Sequence, residues 1–136
     1  MSANVWMTYE RLIDHETQIE YIRCEFRREK NKNHFLAIDQ VYDYMLMFRL
    51  LGEQVNVTHF LVVLKRTSRD HHAISELSDH AKLAVKAFKG TRVAYVNGNF
   101  PEERVRFLNG ALRGMGYDDM RAFNDEGEAL AWLLEA

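Results

Sequence analysis

The amino-acid sequence predicts an α/β fold with a mostly parallel, five-stranded sheet and an N-terminal antiparallel hairpin strand. Three observations support this prediction. Residues 92–133 read as strand, helix, strand and helix, with turn residues between them. Residues 60–64, FLVVL, form an apolar run without alternation, which is typical of a central parallel strand covered on both faces. Helical crossovers require the later strands to be parallel, which gives the order β-β-α-β-α-β-α-β-α.

Composition and charge fit a single domain over residues 1–136. Hydrophobic residues make up 47% of the 136 positions, which is enough for a sizeable core. The 18 basic and 20 acidic residues give a net charge of −2, whereas a dedicated nucleic-acid-binding protein usually carries a basic excess. The apolar runs are shorter than a membrane span, and no signal-peptide pattern begins the sequence. We therefore expect a cytoplasmic protein with no membrane span that binds no nucleic acid.

The first two strands are predicted to form a hairpin. Residues 5–12 and 18–26 are rich in aromatic and β-branched side chains, and residues 13–17 between them are few enough for a tight connection. In the second strand Ile22 and Cys24 alternate with Arg23 and Glu25. This alternation predicts one buried face.

The hydrophobic period changes to that of a helix at residues 34–51, and Gly52 is a suitable stop for this helix. A strand over residues 57–64 follows, and then a second amphipathic helix that ends at Gly90. Its apolar stripe consists of Ile74, Leu77, Ala81, Ala84, Val85 and Phe88.

The last part of the chain repeats the strand-helix unit. A strand over residues 92–96 precedes a helix that begins at Pro101 and closes at Gly114 and Gly116. A short strand over residues 120–123 leads to the final helix, where Asp125 and Glu128 resemble a capping box.

Polar residues follow two neighbouring strands of this sheet, where ligands of open parallel sheets tend to bind. The candidate ligand- or partner-binding residues lie after the third strand, at the start of the second helix and after the fourth strand: Arg66, Thr67, Ser68, Arg69, Ser75, Asn97 and Asn99. Hydroxyl and guanidinium groups beside a helix N-terminus are suited to an anion. The alternative is that these residues cap and solubilise an exposed loop.

The sequence carries no signature of a cofactor or of a catalytic metal. His71 and His72 are eight or more residues from His80, which does not fit the one-turn histidine pair of a helical zinc site. Phosphate-loop, nucleophile-elbow and dinucleotide-binding motifs are also missing. We therefore predict a protein that is not an enzyme. A hydrolase built on Ser68 and His71 or His72 is an alternative hypothesis.

The first helix is apolar on more of its circumference than core packing requires. Tyr42, Tyr44, Met45, Met47 and Phe48 are close together in it. Core burial accounts for part of this set, and the remainder suggests a contact surface, because exposed apolar patches generally mark binding sites. A homodimer contact and a ligand pocket are both open interpretations.

Two segments resemble the SpoIIAA-like family of the STAS-domain superfamily, whose members have a STAS or Sec14-like fold. Residues 92–96, RVAYV, resemble one strand of that family, and residues 120–133, MRAFNDEGEALAWL, resemble its closing strand, acidic turn and helix. In regulatory members of the family, a serine before the second helix is phosphorylated. Here that connection contains Thr67 and Ser68 but lacks the family's acidic lead and glycine, so phosphorylation of Ser68 or Ser75 stays open.

The resemblance implies a non-enzymatic regulatory or scaffolding module that acts through contacts with an unidentified protein partner. The alternative, implied by the likeness to Sec14-type folds and by the apolar first helix, is a carrier or sensor of a small apolar or anionic ligand such as a lipid.

Overall fold

A computed structural model of the chain describes residues 5–28, 38–65, 82, 85–98 and 100–135. The described strands are β1 (Val5–Ile13), β2 (Glu20–Arg28), β3 (His59–Lys65), β4 (Arg92–Asn97) and β5 (Met120–Phe123). The helices with complete bounds are α1 (Ile38–Val55), α2 (Glu102–Gly114) and α3 (Glu126–Leu133). Residues 82 and 85–87 are helical as well and belong to the predicted second helix. No helix in these ranges is both long and apolar enough to cross a membrane.

The strands form one sheet in the order β1-β2-β3-β4-β5. β1 is antiparallel to β2, and every other neighbouring pair is parallel. This arrangement confirms the predicted fold class and places β3 at the centre of the sheet. Because the strand order follows the chain order, right-handed crossovers all step in the same direction and put their helices on one face.

The crossover helices bury one face of the sheet. Side chains of this face alternate along each strand, as Ile22 and Cys24 do in β2 and Phe60 and Val62 do in β3. Phe48 of α1 and Leu108 of α2 belong to the same buried cluster. The largest hydrophobic cluster of the described residues therefore lies between the sheet and the crossover helices.

α3 covers the opposite face. Its buried residues Ala129, Trp132 and Leu133 pack against a cluster that includes Leu61 and Ala94. The guanidinium of Arg92 lies 3.8 Å from the centre of the Trp132 ring, and its Nη2 donates a hydrogen bond of 2.6 Å to the Trp132 carbonyl oxygen. Arg92 thus satisfies a carbonyl at the C-terminal end of the helix and also packs on the aromatic ring beside it.

The predicted end of α1 is wrong, because the helix continues past Gly52 to Val55. The actual stop is Asn56, which has φ 57°. The Val57 amide donates to the Gly52 carbonyl at 2.9 Å and the Asn56 amide to the Glu53 carbonyl at 3.4 Å. These two bonds form a Schellman motif with asparagine in the left-handed position that glycine usually occupies.

Gly52 has a packing role instead of a stopping role. A Cβ atom built at this position would lie 2.4 Å from Cζ of Phe60 and 2.8 Å from the Val57 carbonyl oxygen. The ring of Phe60 therefore occupies the space that any other side chain at position 52 would need.

The predicted signals at the other helix ends agree with the structure. Gly116 has φ 74°, and the bonds from the Tyr117 and Gly116 amides to the carbonyls of Leu112 and Arg113 close α2. At the start of α3, the Asp125 side chain accepts a hydrogen bond of 2.9 Å from the Glu128 amide, which is one half of a capping box.

Candidate functional site

The carboxyl ends of β3 and β4 lie side by side, as the sequence predicts. In the parallel register, Leu64 of β3 pairs with Asn97 of β4. Of the predicted site residues, Asn97 is described, whereas the other six lie outside the described residues: Arg66, Thr67, Ser68, Arg69, Ser75 and Asn99. The structure therefore brings the two strand ends together without describing the loop that was predicted to carry the anion contact.

Asn97 is the last residue of β4 and is buried where the chain leaves the strand and turns. It is 1% exposed, and its carbonyl oxygen accepts a hydrogen bond of 3.1 Å from the Phe100 amide. The ring of Phe100 is also buried and lies 6.5 Å from the ring of Tyr95. The Asn97 side chain thus belongs to the interior of this turn and not to the solvent-facing part of the rim.

The turn after β4 is joined to the turn after β5. The Asn124 side-chain amide donates to the Phe100 carbonyl oxygen and to Oε2 of Glu102, both at 3.2 Å. The exposed Gly98 lies near the same side of Asn124, since a Cβ atom there would be 4.0 Å from the Asn124 carbonyl oxygen. These contacts hold two neighbouring loops of the carboxyl rim in a fixed relation.

The charges on this rim are acidic where the structure describes it. The first turn of α2 carries Glu102 and Glu103, and the first turn of α3 carries Glu126 and Glu128 behind the Asp125 cap. These carboxylates occupy the positive ends of both helices, where an anionic ligand would otherwise be favoured. The predicted anion contact therefore depends on Arg66 and Arg69, outside the described residues.

The strand order also bears on this rim. Ligand crevices of open parallel sheets form where the strand order reverses and neighbouring loops turn to opposite faces. The order of the described strands does not reverse. The polar loops after β3 and β4 are therefore neighbours, but no crevice arises between them from a reversal of the strand order.

The structure reveals a polar cluster that sequence reasoning missed, formed by Arg23, Glu25 and Glu126. Nε and Nη2 of Arg23 donate to the two carboxylate oxygens of Glu126 at 2.9 and 3.1 Å. Nη1 of Arg23 donates to Oε1 of Glu25 at 2.9 Å. The side chains of Arg23 and Glu25 are only 19% and 10% exposed, so this cluster is largely withdrawn from water.

The cluster joins the first turn of α3 to the middle of β2. The hydrogen bonds with Glu126 raise the pKa of the Arg23 guanidinium. Burial lowers it and the hydrogen bond with Glu25 raises it, so that the net effect is a raised pKa. A permanently charged, bidentate guanidinium fixes position better than it transfers protons. Alternation in β2 correctly predicts that Arg23 and Glu25 share a face, but their partner Glu126 is 103 residues away from Arg23. No local signal could have identified it.

Two apolar surfaces stand out among the described residues. On α1, Met45 and Phe48 point into the core, whereas Met47 is partly exposed and Leu50 is 57% exposed. On β1, Tyr9 is also 57% exposed, and Ile13 is nearly half exposed. The predicted division of the α1 stripe into a buried part and an exposed part is therefore seen for Met45, Met47 and Phe48.

Reactive groups are few in the described part of the chain. The Cys24 thiol is fully buried, and that burial raises its pKa, so the thiol is protonated at neutral pH. Within the described ranges, no three His, Cys, Asp or Glu side chains come together as a metal site. His71 and His72, considered above as zinc ligands and as hydrolase residues, lie outside those ranges.

In comparisons with known proteins, no family model, no curated protein and no solved structure matches this chain.

Proposed function

We propose that this protein is a non-enzymatic regulatory or scaffolding module that acts through contacts with another protein. The observation that supports this proposal best is the exposed apolar pair Met47 and Leu50 on α1. Residues three apart lie next to each other on one helix face, so the two side chains form a single patch. Exposed apolar patches are a mark of interaction sites, and the resemblance to regulatory STAS domains points in the same direction.

The chemistry around the patch suggests the kind of partner surface. Arg49 and Glu53 form an ion pair of 3.3 Å along the helix, with Glu53 exposed, and Gln54 is exposed beside them. An apolar centre with a polar rim is the usual composition of a protein interface. We therefore expect a partner that presents an apolar groove or helix face with polar groups at its edge.

The test is affinity capture from a cell extract with quantitative mass spectrometry, comparing the wild type with Leu50→Arg. We expect Leu50→Arg to lose specific partners, because an arginine cannot be buried in an apolar contact without a large desolvation cost. Met115→Arg is the matched control, since Met115 is also an exposed apolar residue but lies at the end of α2.

Identical partner sets for the wild type and Leu50→Arg would contradict the proposal, and so would a wild type that captures no protein. Native mass spectrometry of the same preparation separates the alternative function. A small molecule that consistently copurifies with the chain would favour the carrier of an apolar or anionic ligand.

A further inference from the structure

The two edge strands of the sheet differ in how the backbone groups on their outer sides are hydrogen-bonded. β5 at one edge has only four residues, and Asn109 of α2 reaches its outer side. The Ala122 amide donates to Oδ1 of Asn109 at 2.7 Å, and Nδ2 of Asn109 donates to the Ala122 carbonyl oxygen at 3.1 Å. The side-chain amide thus imitates a neighbouring strand and closes this edge to further pairing.

β1 at the other edge is nine residues long, and among the described residues it pairs with β2 alone. The Asp14 amide donates to the Ile19 carbonyl oxygen at 2.9 Å at the end of the hairpin. Hydrogen-bonded pairs alternate along an antiparallel ladder, so the even-numbered residues of β1 bond to β2. The odd-numbered residues, from Val5 to Ile13, therefore direct their backbone N–H and C=O groups away from the sheet.

We propose that two copies of this chain pair antiparallel through β1, with Tyr9 of each copy opposite Tyr9 of the other. The alternation requires odd-numbered residues to face odd-numbered residues, which excludes a two-fold axis between two neighbouring residues. An axis at Glu10 would meet this requirement but would place two glutamates directly opposite each other. Tyr9 is also the midpoint of the strand Val5–Ile13, so this register uses the whole edge.

The charge pattern of β1 fits this register. With Tyr9 on the axis, Glu10 stands opposite Thr8 of the second copy, and Arg11 stands opposite position 7. No like charges then face each other, whereas an axis at Arg11 would oppose two arginines directly.

The exposed side chains of β1 fit the same pairing. Tyr9 pairs across the strands with Cys24, which is fully buried, yet Tyr9 itself is 57% exposed. The apolar layer that covers β2 on this face therefore does not extend over β1. In the paired form, Tyr9 of one copy packs beside Tyr9 of the other, and cross-strand aromatic pairs stabilise a sheet.

Self-association is measured on the full chain by light scattering after size exclusion over a range of concentrations. We expect a dimer for the wild type. Tyr9→Lys places two ammonium groups opposite each other, so we expect its dimerisation to weaken about tenfold or more. Thr8→Lys is the matched control: it adds the same charge one residue away, but opposite Glu10 of the second copy, and should leave the dimer intact.

Cross-linking tests the register even where the dimer is weak. A short thiol-specific cross-linker should join two Tyr9→Cys chains, because position 9 lies opposite itself. It should not join two Ile13→Cys chains, since the two copies of position 13 would be about 27 Å apart at about 3.4 Å per residue. Cys24 is buried and serves as the unreactive background.

Three results would overturn the proposal: a monomeric wild type without Tyr9→Cys cross-links, a Tyr9→Lys protein that remains dimeric, or equal cross-linking at positions 9 and 13. Circular dichroism confirms that each variant is folded. The pairing is independent of the proposed α1 contact, and Leu50→Arg should leave it unchanged, so failure of one proposal does not count against the other.

Discussion

Replacing Arg23 with methionine should destabilise the protein far more than the same replacement at Arg11. Methionine retains much of the apolar stem of arginine but removes the guanidinium. At position 23 this takes away the bidentate bonds to Glu126 and the bond to Glu25. The Glu25 side chain, 10% exposed, also loses the hydrogen bond and the positive charge of Arg23.

The magnitude follows from the degree of burial. Removing one partner of a fully buried ion pair costs about 3–5 kcal/mol of unfolding free energy, whereas a surface pair contributes about 0–1 kcal/mol. Arg23 and Glu25 are nearly buried and Glu126 is partly exposed, so we expect a loss of about 2–3 kcal/mol for Arg23→Met. Arg11 and Glu20 also form an ion pair, at 2.6 Å, but with side chains 52% and 41% exposed. Arg11→Met should therefore cost less than about 1 kcal/mol.

Urea unfolding at equilibrium measures both losses, with m-values checked for constancy. The reasoning is refuted if Arg23→Met costs no more than Arg11→Met.

Four further predictions, made with five substitutions, test other parts of the structure, chiefly by urea unfolding. Gly52→Ala should cost several kcal/mol or prevent folding, because the new methyl group would meet the Phe60 ring and a backbone oxygen. The control Gly110→Ala, in open space on α2, should stabilise the protein by about 0.5–1 kcal/mol. Equal effects of the two substitutions would contradict the packing role of position 52. Asn109→Leu should cost about 1–3 kcal/mol and promote aggregation visible by light scattering, because the Ala122 amide and carbonyl of β5 lose their hydrogen bonds to the Asn109 side chain. Unchanged stability and solubility would show that Asn109 does not protect this edge. Tyr117→Phe should cost about 1 kcal/mol, because it removes the hydroxyl proton that the carbonyl oxygens of Phe88 and Thr91 share as acceptors at 2.8 and 2.9 Å. A loss near zero would contradict this role. Burial and the nearby Arg92 guanidinium lower the pKa of His59, so the free energy of unfolding should fall as the pH drops below about 6.5. His59→Gln should make the free energy of unfolding less dependent on pH in this range. An unchanged pH dependence would exclude His59 as its source.

Elements whose limits depend on local signals could be predicted closely from the sequence. β5 has the predicted bounds of residues 120–123, and the glycine and aspartate signals at the ends of α2 and α3 act as expected. The central position of β3 followed from its uninterrupted apolar run. In each case the deciding groups are within a few residues of one another, so periodicity and capping preferences contain the answer.

Features that depend on tertiary contacts could not be predicted. Glycine at position 52 has two common explanations, a helix stop and a close approach, and only the position of the Phe60 ring distinguishes them. The partners in the Arg23 cluster are 103 residues apart in the sequence, so a strand pattern that alternates normally gave no sign of a buried charge. For the carboxyl rim, the strand pairing was predictable, whereas the candidate loop containing Ser68 stays a prediction.

The winding of the chain explains why the N-terminal strand is the part of the sheet most open to contact. Crossovers that step in one direction place their helices on one face, and among the described helices α3, with eight residues, covers the opposite face. The cluster on this face extends from α3 over β4 and β3 to Tyr21 of β2, and Glu126 is bonded to Arg23 of the same strand. In β1, Tyr9 is exposed on one face and Thr8 and Glu10 are exposed on the other, whereas Leu12 is partly buried against the cluster under α3. This exposure fits the topology, because the parallel strands are added one after another away from β1. A contact made there adds the missing neighbour to an existing sheet, whereas a contact at the carboxyl rim would have to compete with carboxylates that already occupy the helix ends.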